Sequence, residues 1–129
     1  MAAHMMARQG MDLVLVHFDN RPFTSDAEVE KARRLMDQLD RAAGRRHAKV
    51  LVPHGATQAE VARSCRTNMQ CVLCRRTMFR VAERLARRYG AVAIVTGESM
   101  GQVASQTLAN ILVEERATSL PVLRPLIGL

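Results

Sequence analysis

Four short apolar runs, Leu13 to Phe18, Ala48 to Val52, Ala91 to Val95 and Pro121 to Leu126, alternate with helix-length stretches. That alternation constrains the fold more than any other feature of the chain. A strand apolar on both sides needs cover on both sides, and strands separated by helices long enough to cross over them build a parallel sheet. Residues 2 to 9 read as a short helical end stopped by Gly10. Asn20 and Pro22 mark a turn, and Ser25 stands as N-cap of a helix from about 26 to 42. On that helix Val29, Ala32, Leu35, Met36, Leu39 and Ala43 recur at steps of three and four, and Gly44 ends it. A short helix near 57 to 65 precedes a long one from 71 through Arg88, closed by Gly90. A further helix from about 101 to 114 carries Val103, Ala104, Leu108, Ile111 and Leu112 on one side. With 129 residues, no internal repeat and no linker, one domain over 1–129 is expected.

No run of 18 apolar residues and no charged-then-apolar leader is present, so neither a membrane span nor a signal peptide is indicated, and a cytoplasmic location is expected. Three cysteines are an odd count for a disulfide scaffold and suit thiol chemistry or metal binding in a reducing compartment. The net charge of +7 comes from 19 basic residues, all arginine except Lys31 and Lys49. Such a surface attracts polyanions, although a genomic bias toward arginine codons would produce the same count. Aromatic residues are 3% with no tryptophan, which argues against a base-stacking platform.

The segment CVLCRR at 71 to 76 opens the long third helix. On a wheel at about 100° per residue, Met78, Val81, Ala82, Leu85 and Tyr89 share the expected core face, and Arg76, Arg80, Arg84 and Arg87 form a solvent stripe. Arg75 falls at the edge of the apolar face. Its guanidinium either reaches over the sheet edge toward a phosphate or adenylate, or pairs with a neighbouring acid. Cys71 and Cys74 lie one turn apart, both toward the core side, where the helix N-terminus, Arg75 and Arg76 would lower a thiol pKa and make it a nucleophile or sulfur carrier. Three other readings stay open: half of a zinc site, an iron–sulfur cluster shared with Cys65 or a subunit partner, and buried inert cysteines.

His17 ends the first strand, the side on which open parallel sheets bind ligands, and is expected to lie beside a cofactor with Phe18 packing on a purine. His4, His47 and His54 have no partner at a telling spacing. In TGESMGQVASQT, Thr96 to Thr107, Gly97 and Gly101 bracket a turn that follows a strand and opens a helix. Glycine there permits positive φ and close backbone approach to an anion, a weak signal by itself. Gln106 on the next helix either hydrogen-bonds an adenine edge or ribose or is merely half exposed.

Taken together, VHF at 16 to 18, CVLCRR at 71 to 76 and TGESMGQVASQT at 96 to 107 resemble the nucleotide-binding domain of tRNA 4-thiouridine synthases, sulfurtransferases that also serve thiamine biosynthesis. HFDNRPFTS at 17 to 25 is similar to the family's HFHSPPFTS, and LPVLRPLIG at 120 to 128 to its LPVLRPLIG. The resemblance spans the chain. It implies a Rossmann-like α/β fold of the adenine nucleotide alpha hydrolase type, and an ATP-dependent transfer of sulfur to the uridine at position eight of tRNA. It implies ATP, with Mg2+, held by His17, Phe18, Arg75, Gly97 and Gln106. Cys71 and Cys74 are the implied sulfur-handling thiols, with an iron–sulfur cluster as the alternative and no other metal. The implied partners are tRNA, a sulfur donor such as a cysteine desulfurase, and a second copy of the chain in a homodimer.

The family's phosphate-binding loop, SGGxDS, and its RNA-binding THUMP domain have no counterpart here. MAAHMMARQG at 1 to 10 resembles VAAYLMMKRG, which directly follows that loop in the family, so a partial domain or a misplaced start is expected. The first, central strand is then missing, and the Leu13 and Ala48 strands should pair apart from the Ala91 and Pro121 strands, with the sheet closed up or the gap filled by another chain. Whether this stretch alone catalyses is open. The rival readings are a nucleotide- or RNA-binding accessory domain and a metal-binding module built on Cys71 and Cys74.

Overall fold

The computed structural model describes residues 1–66, 69–98 and 107–127. Its order is α1 (Ala2–Arg8), β1 (Val14–Asp19), α2 (Asp26–Ala43), β2 (Ala48–Pro53), α3 (Gly55–Ser64), α4 (Gln70–Tyr89), β3 (Ile94–Val95), α5 (Leu108–Glu115) and β4 (Val122–Leu123). The α/β reading holds, and every strand pair is parallel. The strands pair as two two-stranded sheets, β1 with β2 and β3 with β4, which is the partition expected from the sequence. Contacts gather the chain into two compact units, Ala3–Ala59 with Met1, and Glu60–Leu129 with Ala2.

In the first unit β1 and β2 run in register from Val14 opposite Ala48 to Asp19 opposite Pro53, and α2 packs on β1. The buried side of α2 is narrower than its periodicity suggests. Val29 and Met36 are buried, while Leu35 is 55% exposed, because a sheet of two strands covers only one stripe of the helix. Ser25 is the N-cap by backbone geometry but its side chain makes no capping bond. Gly44 closes the helix with φ +69, a left-handed value that favours glycine, and Arg45 N–H returns to the Asp40 carbonyl. The strands are also less buried than their apolar runs imply. Leu15 is the buried side chain of β1, and those of β2 are half-buried or exposed.

In the second unit α4 packs on α5 and on β3. Val72, Phe79 and Ala86 are the buried residues of α4, with Ile111 on α5. Burying Phe79 and Ile111 stabilises this unit by about 1.5–3 kcal/mol each. The wheel placed the core face elsewhere, on Met78, Val81, Ala82, Leu85 and Tyr89. The first four are half-buried and Tyr89 is 48% exposed. Apolar residues occupy more than half the circumference of α4, so the packing partner, not the period, selects the buried arc. The third strand is also shorter than Ala91 to Val95. Gly90, at φ +71, turns the chain so that Ala91 N–H bonds back to the Ala86 carbonyl, and the ladder starts only at Ile94.

Candidate functional site

Of the predicted residues, His17 and Phe18 lie in the first unit, and Cys71, Cys74, Arg75 and Gly97 in the second. Gln106 lies outside the described residues.

His17 and Phe18 occupy the carboxyl half of β1, opposite Leu51 and Val52. Phe18 packs edge-on against the ring of His54, with centroids 5.6 Å apart and planes at 78°. His54, for which spacing gave no partner, is 2% exposed; its Nδ1 lies 2.8 Å from Asn20 Oδ1, and its Nε2 is buried without a partner among the described residues. Burial lowers its pKa. His47 likewise has a partner, Asp40 Oδ1 at 2.6 Å. Asp40 also binds Lys49, and this first and the His47 bond second lower its pKa to about 2. Neither pairing has a sequence signal, since the partners stand 34 and 7 residues away. Beyond β1, Arg21 grips Asp19 through Nε and Nη2 and reaches Asp26 at 2.9 Å. An open depression of about 260 Å³, lined in part by His4, Arg8, Arg45 and His47, contains none of the predicted residues.

The second unit concentrates charge at the carboxyl ends of β3 and β4. Arg75, in the second turn of α4, lies 3.4 Å from Glu98 in the turn after β3 and 3.6 Å from Glu114 in the last turn of α5. Arg124, just beyond β4, binds Glu98 at 3.3 Å and Glu115 at 3.4 Å, and Thr96 Oγ1 donates to Glu98. Arg75 therefore takes the neighbouring-acid pairing that was the alternative to a free guanidinium, yet 27% of its side chain stays exposed against 10% for Arg124. Glu114 is fully buried. Burial pushes its pKa up to about 7 against the pull of Arg75, with Glu98 adding to the rise. The sequence reading missed Glu98, Glu114 and Arg124. A charged residue following Ile111 at a helical step of three was the available signal.

Gly97 does not use the positive φ that glycine permits; among the described residues the glycines with positive φ are Gly10, Gly44 and Gly90. Open space lies where its Cβ would stand. Close approach is thus the property the glycine retains.

The thiols depart from expectation. Cys71 is exposed and Cys74 half-buried, so the two do not share a core-facing side. The pKa of Cys74 is raised, by burial first and then by Cys71 and Cys65, instead of lowered. The two arginines meant to lower it are otherwise engaged, Arg75 with Glu98 and Glu114, and Arg76, through a bond to the Val113 carbonyl, away from the solvent stripe. Arg80, Arg84 and Arg87 are exposed as expected. Among the described residues no three His, Cys, Asp or Glu side chains are grouped to hold a metal ion, and no helix is long and apolar enough to cross a membrane.

Parallel strands joined through helices, with a half-exposed arginine, a cluster of ion pairs and an open glycine turn at the carboxyl edge of the second pair, define an α/β protein with a charged strand edge. The comparisons narrow that class. The family model described as "Thiamine biosynthesis protein (ThiI)" matches residues 1–129. A probable tRNA sulfurtransferase of Thermus thermophilus is 46% identical over 127 residues, 98% of this chain and 31% of the relative. That of Methanobrevibacter smithii is 43% identical over 129 residues, 99% of this chain and 34% of the relative. A solved 4-thiouridine synthetase–RNA complex with bound ATP superimposes with a TM-score of 0.90 at 39% identity, over 98% of this chain and 33% of that one. The chain belongs to the thiamine biosynthesis protein (ThiI) family. It spans about a third of the length of the relatives it matches.

Proposed function

We propose that this chain is the nucleotide- and sulfur-handling part of an ATP-dependent tRNA sulfurtransferase acting in the cytoplasm, which converts the uridine at position eight of tRNA to 4-thiouridine and supplies sulfur for thiamine thiazole. The observation that carries this reading is the likeness, at a TM-score of 0.90 and 39% identity, to a synthetase whose structure holds both ATP and RNA. A uracil C4 oxygen is a poor leaving group; taking the adenylyl group of ATP, with loss of pyrophosphate, would let it depart as AMP when sulfur attacks the carbon. In this reading Arg75 offers its guanidinium to phosphate oxygens, a bidentate geometry suited to phosphate. Gly97 lets the ligand approach the backbone of the second unit; His17 and Phe18 of the first unit, and Gln106, are the further nucleotide contacts that the family resemblance implies. Cys71, the exposed thiol, takes the outer sulfur of a donor persulfide, such as that of a cysteine desulfurase, as the donor thiolate leaves. That sulfur attacks the adenylated carbon, and Cys74, one turn on, attacks Cys71 Sγ to release it, leaving a Cys71–Cys74 disulfide that a thiol reductant reopens. The described residues do not fit an iron–sulfur cluster held by one chain. A homodimer is the assembly in which a second copy would contribute.

Calorimetric titration with Mg·ATP tests the reading. Binding should be seen, weakened about tenfold by Arg75→Ala, the cost of one charge-assisted hydrogen-bond pair, and untouched by Arg84→Ala on the exposed face of α4. Equal effects of the two variants would refute the assigned site. The +7 charge favours a second reading, an accessory domain that grips tRNA phosphates. RNA affinity falling steeply with salt, in a protein that takes up no Mg·ATP, would select it.

A further inference from the structure

We propose that Glu114 is a positioning residue for Arg75: uncharged, it leaves the guanidinium able to turn outward to an anionic phosphate, and ionised, it holds the guanidinium inward. The proposal deepens the reading of Arg75 as a nucleotide contact and rests on it. Glu114 has no solvent exposure and stands 3.6 Å from Arg75 Nη1; among the described residues neither carboxyl oxygen accepts a hydrogen bond, and the neighbouring Glu98 carboxyl is a hydrogen-bond partner only when one of the two holds a proton. Keeping a carboxylate ionised in such a place costs far more than keeping it protonated. The groups that face it are Arg75 from α4, Glu98 from the turn after β3 and Arg124 from the end of β4. Arg76 of α4 is spent on the Val113 carbonyl, and Glu115, next along α5, is bound to Arg124.

Charge balance selects the same residue. Two guanidiniums meet three carboxyl groups, so the cluster is neutral only when one carboxyl keeps its proton. Glu98 accepts from Arg75, Arg124 and Thr96, and Glu115 pairs with Arg124 at a half-exposed site. Glu114 is the fully buried one of the three and, among the described residues, accepts no hydrogen bond, which makes it the proton holder, able to donate to Glu98. Its ionisation near neutral pH, where burial has moved it, is consistent with that geometry. Arg75 is the mobile arm, because it is the more exposed of the two guanidiniums. Drawing Arg75 toward a ligand removes positive charge from Glu114 and favours its protonation, so binding should take up a proton and weaken as pH rises.

The test is the Mg·ATP dissociation constant of the full chain at about pH 6 and about pH 8.5, where Glu114 is mostly protonated and mostly ionised. Wild-type affinity should fall about three- to tenfold across that range, and the isosteric Glu114→Gln should keep the pH 6 affinity and flatten the profile. Parallel profiles in the two proteins would overturn the proposal. Without nucleotide, carbon NMR of the glutamate carboxyls gives an independent reading. One signal, missing in Glu114→Gln, should titrate well above the rest and move higher still in Arg75→Gln. If it titrates with the ordinary carboxyls, or does not respond to Arg75→Gln, the proposal fails whatever the calorimetry shows. If it behaves as expected but Mg·ATP does not bind, the coupling stands and the nucleotide reading fails.

Discussion

Arg75 reaches from the second turn of α4 to Glu114 in the last turn of α5, ending 3.6 Å from a carboxyl group with no exposure to water. A guanidinium half in solvent and a carboxyl fully out of it make an asymmetric pair, in which the arginine can leave and the glutamate cannot.

That asymmetry should be visible in stability. The carboxyl pKa of Glu114 is raised on folding, from 4.5 to about 7, so its protonated form is favoured in the folded chain. The favourable contribution is full below pH 4.5 and is lost as pH rises to about 7. Measured by urea unfolding, wild type relative to Glu114→Gln should lose about 2–3 kcal/mol over that interval, the pull of the nearby guanidiniums being already contained in the raised value. Taking the difference between the two proteins cancels His54, whose lowered pKa acts in the opposite sense. A difference that does not change with pH would contradict the assignment.

Gly97→Ala separates structure from ligand approach. Among the described residues no atom lies within 4 Å of the added methyl, and φ is not in the left-handed region, so unfolding stability should change little, within about 0.5 kcal/mol. Mg·ATP affinity, by contrast, should drop severalfold if the nucleotide lies against this turn. An unaltered affinity places the ligand elsewhere.

Gly55→Ala should behave oppositely. Its methyl would stand 2.0 Å from the Arg21 carbonyl oxygen, a backbone atom tied into the turn after β1. The first unit should lose about 2–3 kcal/mol of stability, seen as a lowered unfolding midpoint. A wild-type midpoint would mean that the turn yields at little cost.

The thiols should differ in reactivity. Cys71 is exposed, and Cys74 is partly buried with a raised pKa. Alkylation by iodoacetamide near neutral pH should therefore show a fast phase that Cys71→Ser removes and Cys74→Ser leaves in place. Loss of the fast phase in Cys74→Ser instead would reverse the assigned roles.

Element order and type were legible in the chain because they rest on local patterns. Valine-rich runs at 13–18 and 48–52 specify β1 and β2, and glycines at 44 and 90 end α2 and α4 through left-handed turns that other residues rarely adopt. The motifs at 71–76, 96–98 and 120–127 likewise located the segments that meet at the strand edge. What they do there was not legible. Arg75 pairs with residues 23 and 39 positions away, and no spacing rule connects it to Glu98 or Glu114.

The sequence by itself determined which segments are helix or strand and which family they belong to, since periodicity, turn residues and motif order are properties of neighbouring residues. Only the tertiary structure decided which arc of α4 is buried, that Cys71 faces water, and that Glu114 is closed away beneath Arg75. Burial and charge pairing depend on what other segments place in the same few ångströms, and desolvation there turns an ordinary helical glutamate into a group that keeps its proton near neutral pH.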